Sequence, residues 1–265
     1  MSTSFVLRSS ERGFSRLVST GPNATYVAGH PDGVITRHSS FNFHEYQSGI
    51  AGFGSIRVFG DEVFSPGGTG YNMHPHHNFI IAAFVLGGAL THVNTIGKVD
   101  ELRAGDYYVF SAGSGGKHAE LNIGQDDLQV IYLWVLPAQL LVPPSYVRGH
   151  FDARAGANRI VYLVGDEAGA LPVGQALKVA RLVNERSGTH VYRPSPAHGV
   201  YIFVLEGEAE VAGTVLGRRD SMALAGEVRI EARARDGEFV VSVSDTGPGI
   251  APADQQKIFE EFQQA

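Results

Sequence analysis

Two short motifs carry the residue types that could do chemistry: His74-Pro75-His76 and His118-Ala119-Glu120. In an extended strand, residues two apart project from the same face, so each pair aims two donors at one point. Placed on neighbouring strands, the pairs would bring three imidazoles and one carboxylate together. That set suits a borderline divalent transition metal such as iron, manganese, cobalt, nickel, copper or zinc, and not calcium or magnesium. Four protein ligands leave one or two positions for water, substrate or dioxygen. The chain has no cysteine, which excludes disulfides and thiolate sites, so any metal must sit on His, Asp or Glu. A lone His–x–His is often only a polar strand face, whereas two such pairs joined by turn-rich sequence form a narrower pattern. His77 should point away from its neighbours and is read as structural. His92 follows a glycine turn and is read as simply solvated, with a place behind a ligand as the alternative. His30, His38, His44, His150, His190 and His198 are isolated, and no pairing recommends them.

Such pairs need paired strands, and 33 glycines with 12 prolines supply the short turns between them. Phe79 to Leu86 is an apolar run of eight, short enough for a buried strand, and Gly87-Gly88 breaks it before Ala89 to Val93. Glu101 to Ala112 contains a turn at Gly105-Asp106 followed by β-prone Tyr107 to Phe110, and Leu128 to Leu136 is a further strand. Strands at this spacing indicate an all-β barrel or sandwich. Pro137, Pro143 and Pro144 mark a linker, after which Ile160 to Val164, Ala176 to Val183, Val200 to Leu205 and Glu208 to Val211 read as a second β-rich unit. Phe84-Val85-Leu86-Gly87-Gly88 and Phe203-Val204-Leu205-Glu206-Gly207 make it a faded copy of the first. The expected division is 1–140, 141–245 and a tail, 246–265. Around Arg235-Asp236-Gly237 the tail region reads as a hairpin, and Pro252 to Phe262 as a short amphipathic helix.

The charge balance is −6 with no long Lys/Arg run, which argues against a nucleic-acid-binding face. No apolar run approaches the roughly 18 residues of a membrane span. The start, Met1-Ser2-Thr3-Ser4-Phe5, lacks a charged-then-apolar export signal, so cytoplasm is the simplest expectation.

With Gly70 ahead of His74-Pro75-His76, the strand Phe84-Val85-Leu86, and Ser111 to Glu120, the sequence resembles the pirin-like proteins of the cupin superfamily. Arg37 to Phe43 and Gly52 to Val58 fit the same family, and the resemblance runs from about residue 30 to 225. It implies an all-β bicupin fold of two jelly-roll-like β-barrels, the N-terminal one metallated and the C-terminal one not. The implied metal is iron first, held by residues matching His74, His76, His118 and Glu120. The family commonly has Glu four residues after the second motif histidine, where this chain has Ile80. In the second half, Arg193-Pro194-Ser195 takes the place of His74-Pro75-His76 and cannot make the same site.

The resemblance also implies function. Family members include quercetin-type flavonol 2,3-dioxygenases, so a small aromatic substrate and dioxygen are the expected partners, with Glu120 as catalytic base. Other members are iron-containing redox regulators that contact transcription or signalling proteins without turnover. Asp245-Thr246-Gly247-Pro248-Gly249-Ile250, followed by Lys257 to Phe262, resembles part of a histidine-kinase ATP-binding domain. The helix that would hold magnesium is replaced by cupin sequence, so the expectation is no nucleotide. The tail instead should complete the second barrel, its helix covering an edge or meeting a protein partner.

Overall fold

The protein is described from a computed structural model, which covers residues 4–43, 46–47, 49–152, 156–194, 198–225, 228–233 and 238–245. Glycine and proline punctuation cuts the chain into strands of two to nine residues. The only helices among the described residues are single 3-10 turns at Ser9–Glu11 and Gly21–Asn23. No described helix is long and apolar enough to cross a membrane. The strands gather into two units, each made of two antiparallel sheets.

The first unit comprises Gly13–Gly52 and Ile56–His150. Its larger sheet has seven strands, in the order Ser145–His150, Asp106–Ser111, Ile80–Gly87, Leu128–Val135, Ile56–Phe64, Val34–Ser39, Gly13–Val18. Its smaller sheet has five, in the order Val27–Ala28, Thr69–His76, Gly116–Asn122, Ala89–Asn94, Val99–Arg103. The side-chain period of two places Ile81, Ala83 and Val85 in one core with Tyr108 and Phe110 of the neighbouring strand, and with Leu90 and Leu102 of the smaller sheet. Each large apolar side chain so buried contributes about 1.5–3 kcal/mol. Phe79 and Phe110 belong to this core, whereas Phe84 lies on the other face and stacks on Tyr107 with centroids 5.7 Å apart.

The second unit holds the described residues of Met1–Arg12, Phe53–Ser55 and Phe151–Gly249. Its sheets have six and four strands, and its core is aliphatic, including Leu182, Val200, Ile202, Val204, Val211 and Leu216. The architecture is the all-β bicupin expected, two β-barrel units, but the division does not follow chain order. Phe5–Leu7 pairs with Ser221–Ala225 in the second unit, and Arg8 Nη1 reaches Asp220 Oδ2 at 2.8 Å. Conversely Ser145–His150, beyond the expected boundary at 140, forms the edge of the first unit's larger sheet. Apolar alternation marks where strands are, not which distant strand they pair with.

The expected hairpin around Arg235-Asp236-Gly237 is also corrected. Val228–Arg233 pairs with Gly188–Tyr192 and Glu208–Val211 in the small sheet, while Glu238–Asp245 lies between Leu177–Asn184 and Gly199–Glu206 in the large one. Both strands complete the second barrel, one in each sheet. The helix expected over Pro252 to Phe262, with any partner contact through it, lies outside the described residues.

Candidate metal centre

His74 and His76 occupy the end of strand Thr69–His76, and His118 and Glu120 lie on its antiparallel neighbour Gly116–Asn122. His118 is directly opposite His74, and Gly116 is opposite His76. The register shifts between His118 and Glu120, so Glu120 pairs with Tyr71. Close approach of the two strands requires Gly70, where a Cβ would lie 2.0 Å from the Glu120 carbonyl oxygen. The glycine ahead of the histidine motif therefore acts through sheet geometry.

The three imidazoles converge, with one ring nitrogen from each lying within 4.8 Å of the others. Their centroids are separated by 4.7, 4.5 and 4.9 Å. His74 Nδ1 meets the Asn72 carbonyl at 2.7 Å, a contact that puts the proton on Nδ1 and leaves Nε2 as the donor atom. His118 Nδ1 is 3.1 Å from His92 Nε2, while His118 Nε2 is buried without a hydrogen-bond partner. Burial lowers the affinity of all three rings for a second proton. It brings the His76 pKa down to about 3 and holds His118 well below the usual imidazole range; His74 is lowered too. Neutral imidazoles are the form that ligates metal. A buried, unsatisfied nitrogen beside two other neutral imidazoles fits a metal ion better than it fits an apolar core.

Glu120 stands beside this group. Its Oε2 is 3.8 Å from His118 Nε2, and its Oε1 accepts a hydrogen bond from the Tyr108 hydroxyl. Burial raises its pKa to about 8, opposed by the bond from Tyr108. The structure thus brings together His74, His76 and His118 as one group, with Glu120 adjacent. His77 lies exposed, beyond the end of the strand.

Several further residues pack around the centre. His92 is fully buried against His118, not solvated; its strand, Ala89–Asn94, pairs with Gly116–Asn122 on the side away from His74. His92-Val93-Asn94 is itself a spacing-two polar pair, a pattern that could have exposed it. Trp134 presents its ring at 81° to His76, centroids 4.8 Å apart. Behind His74, buried Arg37 binds Glu62 Oε1 at 2.8 Å, and the Tyr71 hydroxyl donates to Glu62 Oε2 at 2.7 Å.

Two barrels of this topology, the first with three converging imidazoles, define a metal-binding bicupin. Residues 26–135 match the pirin family, residues 164–241 the quercetinase C-terminal cupin domain, and residues 218–265 the histidine kinase-, DNA gyrase B- and HSP90-like ATPase family. Quercetin 2,3-dioxygenase of Escherichia coli (strain K12) is 28% identical over 223 residues, spanning 83% of this chain and 95% of that protein. A pirin-like protein of Caulobacter vibrioides is 29% identical over 220 residues, 81% of this chain and 94% of that one. Among solved structures, YhhW from Escherichia coli superposes with a TM-score of 0.81 at 22% identity, covering 94% of this chain and all of that one. The bacterial pirin YhhW in complex with nickel(II) gives 0.78 at 23% identity, covering 92% and 100%. The chain has the bicupin fold, and it is similar to pirin over residues 26–135 and to the quercetinase C-terminal cupin domain over residues 164–241. The described part of its ATPase-like match, through Asp245, is built into the second barrel as three strands: Ser221–Ala225, Val228–Arg233 and Glu238–Asp245.

Proposed function

We propose that this protein is a metal-dependent dioxygenase of a flavonol-type, quercetin-like aromatic substrate, with iron held by His74, His76, His118 and Glu120. The carrying observation is the convergence of three neutral imidazoles, one with an unsatisfied buried nitrogen, beside a single carboxylate. The names of the catalogued relatives, quercetin 2,3-dioxygenases among them, support the substrate class. When bound, the metal would orient substrate and dioxygen and withdraw charge.

The protein's own groups divide the remaining work. Glu120 accepts the proton of the substrate hydroxyl: it is the one carboxylate of the set, and its Oε2 lies 3.8 Å from His118 Nε2. Tyr108 donates to Oε1 and so orients the carboxylate, keeping Oε2 on the His118 side. Phe79, Phe110 and Trp134 supply aromatic walls, Phe110 stacking on His118 and Trp134 meeting His76 edge-on. These walls exclude bulk water and accept a flat aromatic ring.

Elemental analysis of the purified protein, followed by oxygen consumption with quercetin after iron loading, tests the reading. Turnover that disappears in His74→Ala supports it. Glu120→Gln should retain metal and lose turnover; full activity in that variant removes the proposed base. Metal binding without oxygen uptake, accompanied by redox-dependent capture of a protein partner, would replace the enzyme with a regulator.

A further inference from the structure

We infer that His92 is a positioning residue that sets which nitrogen of His118 faces the metal, by accepting a hydrogen bond from His118 Nδ1–H. The inference rests on the metal-centre reading above and deepens it. His92 Nε2 and His118 Nδ1 are 3.1 Å apart, and both rings are fully buried. Only one of the two facing nitrogens can carry the proton if both rings are neutral. Metal on His118 Nε2 requires the proton on His118 Nδ1, so His92 Nε2 must accept.

His92 is held for that role. Its ring stacks on Tyr146 at an interplanar angle of 8° with centroids 5.0 Å apart, and lies against Tyr108 at 4.4 Å. The strand register places His92 opposite Glu120 and Asn94 opposite His118, so one neighbouring strand braces both residues of the second motif. Accepting at Nε2 puts the proton of His92 on its own Nδ1, which is buried and has no hydrogen-bond partner among the described residues. Phenylalanine would fill the same stacked position without an unsatisfied N–H. The imidazole is therefore explained by its other nitrogen, the one that meets His118.

Two variants separate the hydrogen bond from the packing. His92→Phe keeps an aromatic ring against Tyr146 and removes the acceptor, whereas His92→Gln keeps an acceptor and removes the ring. Nickel(II) titration followed by calorimetry should show affinity falling about 10–100-fold in His92→Phe and recovering most of the way in His92→Gln. Cobalt(II) visible spectra should shift in the first variant and resemble the parent in the second. Nitrogen-15 spectra of the zinc-loaded parent protein read the tautomer directly and need no variant to fold. The expected pattern is zinc on Nε2 of His118 with a slowly exchanging Nδ1 proton coupled to His92. Zinc on His118 Nδ1, or parental nickel affinity in a folded His92→Phe, overturns the assignment. If the parent binds no metal, the centre itself fails, an outcome distinct from either.

Discussion

The two barrels share an architecture and differ in what they enclose. The first surrounds three histidines, Glu120, and the Arg37–Glu62–Tyr71 network, all next to aromatic walls. The second closes on an aliphatic core including Leu182, Val200, Ile202, Val204, Val211 and Leu216. Among the described residues, the only group of side chains able to hold a metal lies in the first. One fold can thus spend its interior on stability or on chemistry. Burying polar groups carries a desolvation cost that, among the described residues, the second barrel meets at fewer positions, Asn184, Asp220 and Ser221 among them. The first barrel offsets it by pairing: Arg37 with Glu62, Tyr108 with Glu120, His92 with His118.

The sharpest way to break this contrast is His118→Ala. Metal affinity should fall by more than about a hundredfold, beyond the range typical for groups that only support a ligand, as read by elemental analysis and nickel titration. Retained affinity would mean that the metal sits elsewhere. Next in size is Arg37→Met, which leaves Glu62 buried without its cation. Urea unfolding should show a loss of about 3–5 kcal/mol, with part of it regained when Glu62→Leu is added. A loss below about 1 kcal/mol would show that the pair is dispensable. In the second barrel, Ile202→Ala should cost about 2–5 kcal/mol through the cavity it leaves, with metal content unchanged. A fall in metal content there would couple the barrels functionally.

The contrast can also be sharpened through the pH dependence of the metal-free protein. His76 and His92 have folded-state pKa values of about 3 and about 4, against about 6.5 in an unfolded chain. Below about pH 6.5 the unfolded state takes up these protons and the folded state does not, so stability falls as the pH drops toward 4. Glu120 works in the opposite direction. Its raised pKa of about 8 stabilises the fold at low pH, an effect that fades as the pH rises from about 4.5 through 8. Urea midpoints between pH 4 and 8 should show both limbs. Glu120→Gln should flatten the alkaline one, and an unchanged slope in that variant would contradict the assignment.

Much of the centre was legible because strand geometry is periodic. Spacing two was enough to put His74 with His76 and to select His118. Nearly every apolar run marked in the sequence became a strand, with Ile160–Val164 and Glu208–Val211 matching end for end. Glu120 was legible as a neighbour of the imidazoles, but the register shift beside His118 and the attraction of Tyr108 are tertiary facts that one strand's pattern does not carry. His92 was misjudged because a polar side chain after a glycine turn ordinarily meets water; here a strand on its far side and Tyr146 bury it. The tail strands were found, but their pairing was not. Arg235-Asp236-Gly237 looks like a local turn, whereas each strand finds a longer-range partner in a different sheet. Local signals report the strands and leave long-range pairing open.

The placement of Phe5–Leu7 has a consequence for how the molecule is made. Arg8 meets Asp220, 212 residues later, so Phe5–Leu7 is made well before the strand it pairs with exists. At about 5–20 residues per second, that is a delay of tens of seconds at the slower end. Without Phe5–Leu7, Ser221–Ala225 would have one side unpaired, an open template for another copy's strand. Trimming the first dozen residues, or fusing a bulky handle to them, would leave that template exposed and invite self-association.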